Sequence, residues 1–185
     1  EIVVLSAADT ELALLADAAA ARGDGAPSLR LANVMQLGHN LSVDTYVEAV
    51  VANAKVIVVR LLGGAAYWRY GTEEVAAVAR EHGLALALLP RDDKDDGELR
   101  RHSTVGDADY DRLWAYLIHG GAANAVNFLT HAANLAGHPV EAEPPELLPR
   151  AGCYWPGIGD LALDAMAQHW QPGRPVAAIV FYRAL

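Results

Sequence analysis

Residues 55–62 read KVIVVRLL, a run that is apolar and rich in β-branched side chains apart from Lys55 and Arg60. A strand with water on one face alternates apolar and polar residues, whereas a strand buried on both faces does not. Bounded by Gly63-Gly64, this run predicts a central parallel strand with helices packed on either side. The rest of the chain meets that demand. IVVLSAA (2–8), SLRLANVMQL (28–37) and LALALLP (84–90) are further strand-like runs, each followed by a longer stretch with helical or polar character. Such alternation is the pattern of a sheet covered by helices. The expected fold is α/β: an open, mostly parallel sheet with helices on both faces, flavodoxin-like or Rossmann-like.

The first helix is expected over 10–22, with Asp9 and Thr10 as caps and Arg22-Gly23 as its stop. Ser42 to Thr45 open a second, with Tyr46, Val47, Val50 and Val51 on one face. A third follows Gly63-Gly64, through AAYWRYGTEEVAAVAREHG. Residues 107–136 read as two helices meeting at Gly120-Gly121, with Asp107 as a cap and Trp114, Leu117 and Ile118 facing the core. HPVEAEPPELLPR (138–150) holds four prolines in thirteen residues, which marks an extended connector. AGCYW, a helix near 160–170 and the strand PVAAIVFYRAL end the chain. The expected division is a head domain over 1–150, then a strand-helix-strand over 151–185 that completes the sheet or leads into a next domain. The start on Glu1, inside an apolar run and without an initiator Met, is what a piece of a longer chain would show.

Charge removes several classes of function. Against 14 Lys and Arg stand 23 Asp and Glu, a formal net charge of −9, which disfavours nucleic acid and anionic membrane surfaces as partners. No apolar run reaches the roughly 18–20 residues of a membrane helix, and no signal segment opens the chain. A Walker loop needs Gly-Lys-Ser/Thr after a strand; Lys55 follows Ala54 and Lys94 sits between Asp93 and Asp95, so ATP is not hydrolysed by that route. The lone Cys153 cannot form an internal disulfide, and a reducing cytoplasm fits.

Open parallel sheets bind ligands beyond the carboxyl ends of their strands, here the loops Ser6–Thr10, Gln36–Asn40, Leu61–Arg69, Pro90–Asp96 and Trp155–Asp160. Gly157-Ile158-Gly159-Asp160-Leu161-Ala162 copies a dinucleotide fingerprint. It fails on Asp160, whose charge opposes a pyrophosphate, on Pro156, and on the missing acid about 20 residues later. A strand-to-helix turn with Asp160 as helix cap is the expectation there. Gly63-Gly64 has two readings. The glycines permit an unusual backbone while Tyr67, Trp68 and Tyr70 pack. Alternatively the loop, with Arg60 and Arg69 near in sequence, contacts a flat, carboxylate-bearing ligand. Asp92, Asp93, Asp95 and Asp96 lack the alternation of a calcium loop; they form a solvated loop in which Asp92 and Asp93 are placed for ligand or partner contact. The seven histidines show no zinc or cobalt spacing, and no metal ligand or catalytic residue is assigned.

LSAADTEL (5–12), SVDTYVE (42–48), VVRLLGGAAYWRYGTEE (58–74), LPRDDKDD (89–96), RLWAYLIHGGAANAVNFL (112–129), WPG (155–157) and FYRAL (181–185) stand in an order that spans the chain. Together they resemble the large subunit of aerobic cobaltochelatase (CobN type), a relative of the large magnesium chelatase subunit. Arg91 and Gly71 depart from the family pattern and leave its loop frame intact. The resemblance implies the N-terminal portion of a much longer ligase that inserts cobalt into hydrogenobyrinic acid a,c-diamide during cobalamin biosynthesis. Cobalt and ATP are then used by the full complex, with separate AAA+ partner subunits, and no cofactor is implied for this portion. The expected role is tetrapyrrole binding or subunit assembly with the remainder of the large subunit, through Gly63, Gly64, Tyr67, Arg69, Asp92 and Asp93. This portion alone is expected to be inactive. A magnesium chelatase subunit and a flavodoxin-like domain binding a small anion are the alternatives.

Overall fold

The computed structural model describes residues 1–23, 25–147 and 151–180. They fall into two compact units, Glu1–Glu146 and Leu147–Leu185. The first runs β1 (Ile2–Ser6), α1 (Asp9–Ala20), β2 (Leu29–Asn33), α2 (Asn40–Ala49), β3 (Val56–Leu61), α3 (Arg69–His82), β4 (Ala85–Pro90), α4 (Gly97–His102), α5 (Asp107–His119) and α6 (Ala122–Leu135). The four strands make one parallel sheet in the order β2-β1-β3-β4, with Ile2 opposite both Leu29 and Val56, and Val56 opposite Ala85.

Every residue of β1 and β3 is buried, as two-sided coverage requires. Successive side chains point to opposite faces, so these strands feed two cores. Val3, Leu5, Ile57 and Val59 pack with Val43 and Val47 of α2 and Val75, Ala76 and Ala79 of α3. Ile2, Val4, Val56 and Val58 pack with Leu15 of α1, Tyr110 and Leu113 of α5, and Phe128 and Leu129 of α6. Each of the valine, leucine, isoleucine and phenylalanine side chains among them contributes about 1.5–3 kcal/mol on burial.

An open sheet must deal with its edges, and β4 is closed by the segment after α4. The Leu88 and Leu86 N–H groups donate to Ser103 Oγ at 2.9 Å and Thr104 Oγ1 at 2.8 Å. Thr104 Oγ1 and N–H donate to Leu84 O at 2.6 Å and Leu86 O at 2.9 Å, and Tyr110 Oη donates to Leu88 O at 2.7 Å. The Pro-rich connector is also tied down by side chains. Asn124 exchanges two hydrogen bonds with the Glu146 backbone, both 2.9 Å, and Asn127 Oδ1 accepts from Glu143 N at 3.1 Å.

Several local expectations change. The second strand stops at Asn33 rather than running to Leu37. Asn33 Oδ1 accepts from Met35 N at 2.9 Å while its amide donates to Asp9 Oδ1 at 2.7 Å, turning the chain into a 3-10 turn over Val34–Leu37. Asp9 and Asp107 are first residues of their helices, not side-chain caps; Ala8 and Gly106 hold the cap positions. As acids in a first turn they still complement the helix dipole. In α5, Tyr116 takes the buried place expected for Ile118, which is half-buried along with Trp114.

In the second unit β5 (Cys153–Trp155) and β6 (Gly159–Leu161) form an antiparallel hairpin, with Cys153 opposite Leu161 and Tyr154 opposite Asp160. The expected helix near 160–170 is absent: residues 159–161 are strand, and only Met166–His169 form a 3-10 turn. Gly157 and Gly159 have φ of +82° and +99°, so the paired glycines serve a hairpin turn and Asp160 caps no helix. Pro175–Val180 hold no strand, and the remainder of PVAAIVFYRAL, 181–185, lies outside the described residues.

Candidate functional site

The strand order reverses direction between β1 and β3, so α1 covers one face of the sheet while α2 and α3 cover the other. The carboxyl ends of β1, β3 and β4 are therefore the rim where such a fold binds ligands. Four of the five expected loops belong to this sheet; the fifth, Trp155–Asp160, is the hairpin turn of the second unit.

Behind the rim lies a pair of groups of which the sequence pattern named only Arg60, and in another role. Arg60, 4% exposed, points from β3 into the α1/α5/α6 side. Its Nη1 contacts Glu11 Oε2 of α1 and donates to Leu117 O of α5 at 3.1 Å. Its Nη2 donates to Arg91 O at 2.7 Å. One guanidinium thus ties together β3, the first turn of α1, the end of α5 and the loop after β4. It is committed to this knot and not offered to an anion at Gly63-Gly64. The signal was a charge inside an apolar strand, which demands a partner; sequence spacing could not name Glu11.

At the surface, Leu61 leads into Gly63 (φ +86°) and Gly64 (φ +75°, ψ −169°). The Gly64 conformation is one that only glycine adopts without strain. A Cβ there would also lie 2.6 Å from Asp96 Oδ2. Asp96 Oδ1 meanwhile caps α4, accepting from Glu98 N at 2.9 Å and Leu99 N at 3.1 Å. The two loops are thus fitted to each other around a hollow of about 190 Å³ lined by Gly63, Gly64, Asp92, Lys94, Asp95 and Asp96 among others. Gly64→Ala is expected to cost about 2–3 kcal/mol. In thermal melts Asp96→Ala, itself costing about 1 kcal/mol as a lost cap, should add less than its own cost on that background. Full additivity would show that the loops are not fitted.

Of the six residues expected here, Gly63, Gly64 and Asp92 line the hollow, while Tyr67, Arg69 and Asp93 are exposed outside its lining. Tyr67 Oη donates to Met35 Sδ at 2.7 Å, and both side chains are exposed. Tyr70 Oη donates to Asp44 Oδ1 at 2.6 Å, which pushes its pKa up to about 12. The hollow carries three carboxylates to one ammonium, so an anion entering it meets net repulsion. Among the described residues no three of His, Cys, Asp and Glu come together to hold a metal. His131 stands 3.0 Å from Asp109, its pKa pushed down by burial.

No family model matches the chain. It is similar to curated proteins described as aerobic cobaltochelatase subunit CobN. The Sinorhizobium sp. protein is 46% identical over 197 aligned positions, covering all of this chain and 15% of the relative. The Pseudomonas aeruginosa protein is 44% identical over 184, covering 99% and 15%. Among solved structures, the catalytic subunit of cobaltochelatase from Mycobacterium tuberculosis superposes with a TM-score of 0.64 at 26% identity, over 80% of this chain and 11% of that one. The chain thus spans about 15% of the length of its curated relatives. Sequence likeness along the whole chain and a shared α/β fold agree, and the chain belongs to the CobN family of cobaltochelatase subunits.

Proposed function

We propose that this chain is the head segment of the large subunit of an ATP-dependent aerobic cobaltochelatase, acting in the cytoplasm to insert cobalt into hydrogenobyrinic acid a,c-diamide for cobalamin synthesis. The observation that carries the reading is the end-to-end identity of 46% and 44% to two CobN relatives. Cobalt is substrate here, and separate AAA+ subunits spend the ATP. This fits a chain whose two lysines make no Walker loop.

Insertion requires a macrocycle held and bent, its ring N–H protons removed and the metal stripped of water. We assign neither the base nor the metal ligands to this segment. Its part is assembly: Gly63, Gly64 and Asp92 shape the fitted loops, and Tyr67, Arg69 and Asp93 face outward to a neighbouring domain of the large subunit. Titrating the isolated chain with hydrogenobyrinic acid a,c-diamide, read by tryptophan quenching, is expected to show weak binding or none. A tight, saturable complex weakened by Tyr67→Ala or Arg69→Ala would contradict the assembly role and assign the segment a ligand site.

A further inference from the structure

The second unit has the composition of an interior and the geometry of an exterior. Residues 151–180 carry only three ionised side chains, Asp160, Asp164 and Arg174, where a water-facing surface is about 25–35% charged. Yet none of the described residues from 147 to 180 is buried. The hairpin sets Cys153, Trp155 and Leu161 on its half-buried face, and the Trp155 ring lies 5.4 Å from that of His169. This half-core leaves Tyr154, Ile158, Leu163 and Trp170 at 61%, 53%, 78% and 51% exposure. A two-stranded hairpin is marginal in water, and a segment this short does not build a core alone.

We infer that residues 151–170 are one part of a second folding module, whose core is completed by polypeptide of the same CobN subunit that lies outside this chain. The occupant is covalently continuous chain rather than a second copy. The matched stretch is 15% of each curated relative, and a tethered segment acts at an effective concentration of about millimolar. Low charge on the exposed side calls for an apolar partner, the character of a permanent interface. The inference rests on family membership and not on the tetrapyrrole reading.

The test is amide hydrogen exchange on the isolated chain and on a chimera in which it replaces the matching stretch of the Pseudomonas aeruginosa relative. Amides of 153–161 should exchange at least about tenfold more slowly in the chimera, while those of β3 stay protected in both. Equal exchange of 153–161 in the two proteins would overturn the inference. If the chimera does not fold, the same comparison between the full-length relative and its own matching stretch decides. Independently, Ile158→Asp with Leu163→Asp should leave the thermal midpoint of the isolated chain within about 2 °C; a larger fall would mean those side chains are already buried, and would also overturn it. Loss of cobalt insertion with the hairpin protected would contradict the functional reading alone.

Discussion

Gly71→Ala is expected to destabilise the protein by about 2–3 kcal/mol, although this exchange inside a helix normally stabilises by about 1 kcal/mol. The reversal comes from Trp68. A Cβ at position 71 would lie 2.1 Å from Trp68 Cε2 and 2.2 Å from Cζ2. The ring has little freedom to retreat, since its Nε1–H donates to Leu37 O at 2.8 Å and it packs in the α2/α3 core. Either α3 lifts off the sheet or the indole leaves its slot. Both disturb the rim, because Trp68 stands between Tyr67 and Arg69. Urea denaturation would report the loss, and Trp68→Leu on the Gly71→Ala background should recover part of it. A neutral or stabilised Gly71→Ala would show that the indole does not pack on this helix.

Arg60→Met is expected to cost about 3–5 kcal/mol, since it leaves Glu11 in a largely buried place without its counter-charge and Leu117 O and Arg91 O without their donor. Removing both charges is different in kind. In Arg60→Met with Glu11→Leu no charge is stranded, and most of the loss should return, because a buried ion pair is often replaceable by apolar side chains at little cost. A double-mutant cycle in urea measures this coupling. Two independent, additive losses, or a single-mutant cost under about 1 kcal/mol, would mean that the guanidinium does not hold the four elements together.

How far the sequence reaches is clearest at these same residues. The parallel sheet with helices on both faces was legible in KVIVVRLL, because two-sided burial leaves continuous apolarity as its trace. Strand ends set by side chains were not. Asn33 ends β2 through hydrogen bonds to Met35 and Asp9, and strand propensity does not register them. Gly157 and Gly159 marked a turn, but a strand before two glycines is as consistent with a hairpin as with a strand-to-helix turn. Pairing with residues 153–155 decided it. At the rim, loop positions followed from the fold class alone. The fit of Asp96 against Gly64 and of Arg60 against Glu11 joins residues 32 and 49 positions apart, beyond what local pattern encodes.

The proposed role as a segment of a cobaltochelatase subunit can be read from cobalt insertion by the chimera, in which the chain replaces the matching stretch of the Pseudomonas aeruginosa relative. With hydrogenobyrinic acid a,c-diamide, cobalt, ATP and the partner subunits supplied, the chimera should insert cobalt within about tenfold of the parent rate, a barrier change of about 1.4 kcal/mol. The parent lacking that stretch should be inactive. A chimera that folds and joins its partners yet inserts no cobalt would contradict the account.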